Sequence, residues 1–169
     1  MKKKTVSIVI LIILFLVFAL YFSPWVKKPN KEIIYVEYND SLTFNPLQNI
    51  DFNVGDNKAY LLISHQDIEE LPDGIKKGKV LFCSDNNVLD RLAKNFYHKK
   101  SGGDMATCES EILIYHNKKL ILSSKIALSK NIIGLQGESI GWADAVNRDS
   151  LVSVFKEFNL IKRPVLILE

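Results

Sequence analysis

Apolar and polar positions fall into distinct patterns along the chain, and the first pattern is nearly unbroken. From Val6 to Phe22 every residue is apolar except Ser7. At ~1.5 Å of helical rise per residue, the stretch from Thr5 to Trp25 is long enough to cross a hydrocarbon core of ~30 Å. Pro24 and Pro29 follow and predict the end of that helix. Farther on, continuous apolar runs such as Tyr60-Leu61-Leu62-Ile63, Val80-Leu81-Phe82 and Ile112-Leu113-Ile114-Tyr115 predict strands covered on both faces. The full set of predicted strands is 32–38, 58–64, 79–83, 111–116, 120–126 and 164–168. After Asp85-Asn86-Asn87, good N-caps, Leu89, Leu92, Ala93 and Phe96 recur at helical spacing, predicting a helix over 87–99. A second helix begins near Asn147 to Asp149 and carries Leu151, Val154, Phe155 and Phe158. A short one over 66–71 is broken by Pro72, Asp73 and Gly74. Asn117-Lys118 between two apolar runs predicts a tight hairpin turn.

These elements predict an α/β (α+β) chain: one N-terminal transmembrane helix followed by a single domain built on a mixed sheet. The expected boundaries are a cytoplasmic stub at 1–4, an anchor at 5–25, a linker at 26–31 and an extracytoplasmic domain at 32–169. No repeat or low-complexity run divides the domain. A cleaved signal peptide is the competing reading of the N-terminus. The region from Ala19 to Trp25 lacks two small residues at cleavage spacing, however, and the apolar run is longer than a usual signal core.

Composition changes this picture little, and charge changes it more. The 169 residues are 47% hydrophobic and 24% charged, an ordinary globular usage. The net charge of +3 arises at Lys2, Lys3 and Lys4, because from Lys27 onward basic and acidic residues balance at 19 each. No basic surplus remains for a nucleic-acid partner. The three lysines become a topology signal instead, with Tyr21, Phe22 and Trp25 as interfacial rings at the far end of the helix. That predicts a single-pass protein of the inner (cytoplasmic) membrane, its N-terminus in the cytoplasm and its domain periplasmic. The lipid contact runs through residues 5–25, and the remaining partner is a membrane or periplasmic protein.

Candidate chemistry is sparse. Cys83 ends one predicted strand and Cys108 precedes another, which predicts a disulfide across a loop of about 25 residues, contributing on the order of 3 kcal/mol. Free buried thiols or a redox-sensing pair are the other readings. Cys83, His98, Cys108 and His116 are zinc-type ligands at spacings that match no familiar site, so no metal is predicted. Ser64, His65 and Asp67 are neighbours in sequence without a nucleophile elbow, and they read as a turn capped by Asp67. Glu69-Glu70 cannot face one substrate, and Gly134-Leu135-Gln136-Gly137 lacks the Lys and Ser/Thr of a phosphate loop. Asn39-Asp40-Ser41 is a formal glycosylation triplet. No catalytic residue and no cofactor are predicted. The stretch from Ile132 to Trp142, with three glycines, reads as a loop packed over the core or as an exposed apolar surface. In the second case Leu135 and Trp142 are partner contacts.

Two resemblances add expectations. The order of elements from Lys58 to Asn159 resembles the thioredoxin fold, most closely where Glu111 to Leu122 leads towards Ala127-Leu128-Ser129-Lys130. The family's Cys-x-x-Cys is replaced here by Ser64-His65-Gln66-Asp67, and its proline by Ser110-Glu111, so the resemblance implies a scaffold without disulfide exchange. In plan, with an anchor at Lys2 to Trp25 and an exported domain bearing Cys83 and Cys108, the chain resembles certain small bitopic accessory proteins. These accompany ToxR-type membrane-bound transcription activators, including those of the Myf and Psa fimbrial systems of enteric bacteria. That resemblance implies stabilising or sensing for a neighbouring regulator. The alternatives are a degenerate thioredoxin-type envelope redox protein and an immunity or inhibitor protein against an envelope toxin or hydrolase.

Overall fold

The computed structural model describes residues 2–22, 24–34, 42–102, 108–163 and 165–168, with side chains of the first helix described from residue 5 to 19. The Asn39 triplet, the expected strand residues 35–38 and the first residue, Pro164, of the last expected strand lie outside the described residues, as do the side chains of Lys2 to Lys4, Tyr21 and Phe22.

The chain forms a mixed α+β structure in two compact units, residues 1–30 with 161–169 and residues 31–160. In the first, the apolar run becomes helix α1 (Lys2–Phe22). It ends two residues before Pro24, as the restriction on residues preceding proline requires. Among the described residues, no helix is long and apolar enough to cross a membrane. Strand β1 (Trp25–Lys27) takes the last residue of the expected anchor and the first two of the expected linker, and it pairs in parallel with the last strand, β11 (Val165–Ile167). The expected domain over 32–169 therefore gives up its final strand to the N-terminal unit.

The larger unit holds a nine-stranded sheet. Its strands are β2 (Thr43–Phe44), β3 (Asn57–Leu62), β4 (Val80–Cys83), β5 (His98–Lys100), β6 (Glu111–His116), β7 (Lys119–Leu128), β8 (Ile133–Gly137), β9 (Gly141–Ala145) and β10 (Asn159–Leu160). Their order is β10-β4-β3-β6-β7-β8-β9-β5-β2. Every neighbouring pair in it is antiparallel, so the expected mixed sheet is not what forms here. This also corrects the thioredoxin-like layout. That layout needs a parallel crossover between β3 and β4, but Leu62 pairs with Val80 and Ala59 with Cys83. The intervening segment, with one short 3-10 turn at Asp67–Glu70, returns the chain to the end it left.

Helix α2 (Asn86–Asn95) starts where expected, with the Asp85 carboxylate accepting from the amides of Asn87 (2.8 Å) and Val88 (3.4 Å). It stops earlier than its periodicity suggested, because His98 to Lys100 pair with β9 and β2 instead. Helix α3 (Arg148–Phe155) follows β9. The core gathers the inward face of β3 (Ala59, Leu61) with Leu89 and Leu92 of α2, Leu151 and Phe155 of α3, and Ile112 and Ile114 of β6. Alternation along β3 is strict, buried then half-buried, as one covered face dictates.

The β6–β7 hairpin turns through Asn117 (φ 51°) and Lys118 (φ 65°), the paired left-handed residues of the turn that matches strand twist. An irregularity in the register between Ile114 and Tyr115 leaves Ile121 as an extra residue in β7.

Candidate functional site

The stretch expected as a loop, Ile132 to Trp142, is the β8–β9 hairpin. Leu135 is fully buried and Trp142 nearly so, its indole nitrogen donating to Asp144 Oδ1 at 2.8 Å. Gly134 makes this possible, since a Cβ there would sit 2.8 Å from the Trp142 ring and 2.9 Å from the Ala143 carbonyl oxygen. Strand glycines had mimicked loop glycines. Leu135 and Trp142 are thus buried, as the packed reading of this stretch has it and the partner-contact reading does not.

Cys83 and Cys108 are both buried and not joined to each other. The register gives the reason. Cys83 lies level with Ile114 through Ala59, whereas Glu111 lies level with Val80 through Leu62. Cys108 precedes Glu111 by three more residues, so the two cysteines sit towards opposite ends of strands running the same way, on the order of 20 Å apart along the strand direction. That separation is beyond disulfide reach. Burial pushes both thiols above their ordinary value, and nearby Asp67 pushes Cys108 further in the same direction.

The remaining polar candidates hold the fold. Ser110, fully buried, donates to Asp67 Oδ2 and accepts from the Ser64 amide at 3.0 Å, while the Ser64 hydroxyl accepts from the Asp67 amide at 3.2 Å. These bonds tie the short turn to β6. His116 Nδ1 lies 2.7 Å from Asn57 Oδ1, and the Asn57 amide donates to the Phe52 and Val54 carbonyls, fixing the loop before β3. His98 is fully buried between Phe96 (centroids 4.6 Å apart) and Phe44 (6.0 Å), with Nδ1 on the Phe96 carbonyl oxygen at 3.1 Å. Its Nε2 is buried with no partner, and burial pulls its pKa down to about 4. Among the described residues, no group of three His, Cys, Asp or Glu is placed to hold a metal ion.

What the sequence did not disclose is an open groove of about 660 Å³ beside β7. One wall is the segment of residues 31–34. Ile33 exchanges both backbone hydrogen bonds with Ser123 (2.9 and 2.8 Å), and the Glu32 carboxylate accepts from the Glu138 amide at 3.2 Å. The opposite wall is the turn at 45–50. Buried Asn45 anchors it, donating to the Ala93 carbonyl at the end of α2 (2.7 Å) and accepting from the Leu47 amide (2.9 Å). The floor is the start of β7, where Leu120 and Ile121 are half-buried and Lys119 is exposed. Strand β8 covers β7 only from Lys125 to Leu128, and Ile33 adds one bridge at Ser123. Among the described residues, the edge of β7 from Lys119 to Leu122 away from β6 carries no ladder partner. Ile34, Ile50 and Ile121 supply apolar contact, and Lys31, Glu32 and Lys119 bring charge of both signs to the rim. A channel with an apolar floor suits an extended polypeptide segment, whose alternate side chains fill it.

Comparison with family models, with curated proteins and with solved structures finds no match to this chain.

Proposed function

We propose that this protein is a membrane-anchored, extracytoplasmic binding module that serves a neighbouring membrane or periplasmic protein, with α1 as a single-pass anchor. The observation that carries the reading is the surface of α1. Large apolar side chains from Val6 to Phe18 are each at least half exposed and are spread around the whole circumference, with no polar face. A helix of this kind suits lipid and not water. Of its 21 residues, the 18 from Thr5 to Phe22 follow the three lysines and rise ~27 Å, close to a hydrocarbon core of ~30 Å, while the described side chains, Thr5 to Ala19, are by themselves too short a run to cross it. Lys2, Lys3 and Lys4 favour the cytoplasm for the N-terminus.

The groove beside β7 is the surface on which the partner's polypeptide seats. A stabilising or sensing role for a ToxR-type activator is the specific form of the reading, and it rests on the shared plan of short anchor and exported domain. The separation and raised pKa of Cys83 and Cys108 weigh against the redox alternative, because an exchanging pair needs proximity and an accessible thiolate.

The full chain should stay with membranes through alkaline carbonate extraction, and a chain beginning at residue 31 should be released. Affinity purification from solubilised membranes should retain the regulator, and deleting the protein should lower that regulator's level or output. Release of the full chain by carbonate would reject the anchor. A regulator unaffected by deletion would reject the accessory role. Replacing exposed groove residues, Gln48→Glu with Lys119→Glu, should reduce regulator capture several-fold while thermal stability moves by less than about 0.5 kcal/mol. Undiminished capture would remove the groove from the reading.

A further inference from the structure

The two-stranded ribbon that joins the end of the chain to the end of α1 presents a face unlike an ordinary protein surface. The pairing sets Trp25 beside Val165 and Lys27 beside Ile167, so these four side chains share one face and Val26 and Leu166 the other. Trp25 is 55% exposed, Val165 48% and Ile167 58%. Parallel strands ordinarily have both faces covered, and here one apolar face is bare.

Charge surrounds it asymmetrically. Beyond the helix, this unit carries Lys27, Lys28, Lys162 and Arg163 against Glu169 as its only acidic residue. The unit of residues 31–160 has 15 basic and 18 acidic residues, a net charge of −3. An anionic surface therefore attracts the ribbon and repels the larger unit.

Chain length fixes the distance to such a surface. Three Cα steps separate Phe22, where α1 ends, from Trp25, so the ribbon starts within about 11 Å of the helix end. This is the depth of the headgroup region, where indole rings and lysine or arginine side chains are favoured.

We propose that the β1–β11 ribbon lies on the anionic bilayer surface, with Trp25, Val165 and Ile167 among the headgroups and Lys162 and Arg163 near lipid phosphates. The C-terminal strand is thereby a second membrane contact beside α1. The proposal rests on the reading of α1 as an anchor, and the test separates the two.

The full chain carrying Trp25→Phe, Trp142→Phe and Ile167→Trp is reconstituted into vesicles of phosphatidylcholine with phosphatidylglycerol, and into phosphatidylcholine alone. The single indole in the C-terminal strand should be quenched by lipids brominated near the glycerol and shielded from acrylamide. Adding Lys162→Glu and Arg163→Glu should lower the docked-to-free ratio on anionic vesicles by roughly ten-fold or more and change it little on neutral ones. If the chain resists carbonate extraction while that indole stays open to acrylamide and unquenched by lipid, the ribbon proposal fails and the anchor stands. Shielding from acrylamide without lipid quenching also overturns it, since a protein then covers the face. If carbonate releases the chain, the anchor reading fails, and lipid quenching of the indole alone decides the ribbon. Val165→Trp in the same background, and Trp25 read in the Trp142→Phe chain, repeat the measurement should Ile167→Trp disturb the pairing.

Discussion

His98 is the residue whose environment most changes its chemistry. Buried between two phenylalanine rings with one ring nitrogen unpartnered, it is held neutral down to a pKa of about 4, against 6.5 when exposed. The unfolded chain therefore takes up a proton before the folded chain does. The stabilisation is complete above pH 6.5 and is lost as pH falls from there towards 4, on the order of 3 kcal/mol in all. Urea midpoints between pH 7 and 4.5 should fall more steeply in the natural chain than in His98→Leu, and equal slopes would refute the assignment. The cysteines give a second prediction at this scale. Both thiols should resist an alkylating reagent in the native protein and react on unfolding, with identical gel mobility with and without reductant. Rapid native labelling or a reductant-sensitive band would overturn it. Neither property was legible in the sequence. His98 read as part of a helix, and Cys83 and Cys108 read as neighbours because strand ends were visible but strand order was not.

At the scale of elements, local chemistry and structure agree where a few adjacent residues decide the outcome. Asp85 caps α2 and Asn117-Lys118 turns the β6–β7 hairpin, both as the sequence predicts. Lys118 adopts φ 65° at a cost that glycine does not bear, so Lys118→Gly should raise stability by about 0.5–1 kcal/mol in thermal denaturation. Unchanged or lower stability would mean that the lysine side chain holds the turn. The β8–β9 hairpin marks the opposite case. Its glycines look like a loop until Trp142 is seen lying against Gly134, and the contact comes from a partner eight positions along. Gly134→Ala should cost about 1–3 kcal/mol and shift Trp142 emission, and a neutral effect would show that the ring can move aside.

For the whole molecule, the decisive feature is the division into two units, one holding both ends of the chain and the other residues 31–160. A chain limited to 31–160 should give a cooperative urea transition, and non-cooperative unfolding would show that the unit depends on the rest. The positions of charge also make sense only at this scale. The sequence reads as neutral after Lys27, yet the division gives the larger unit a net charge of −3 and leaves the basic excess with the helix and ribbon. The groove beside β7 belongs here as well, since its walls come from segments around residues 33, 48 and 120.

The sequence by itself determined the elements that depend on near neighbours: the apolar helix, the central strands, the start of α2, the β6–β7 turn and an α+β class. It did so because helical period, capping and turn geometry act over four residues or fewer. Tertiary structure alone decided the antiparallel order of nine strands, the pairing of β1 with β11, the separation of Cys83 from Cys108 and the burial of His98, Leu135 and Trp142. Those outcomes depend on which strands lie side by side, a competition among long-range pairings of similar apolar segments that local pattern does not rank.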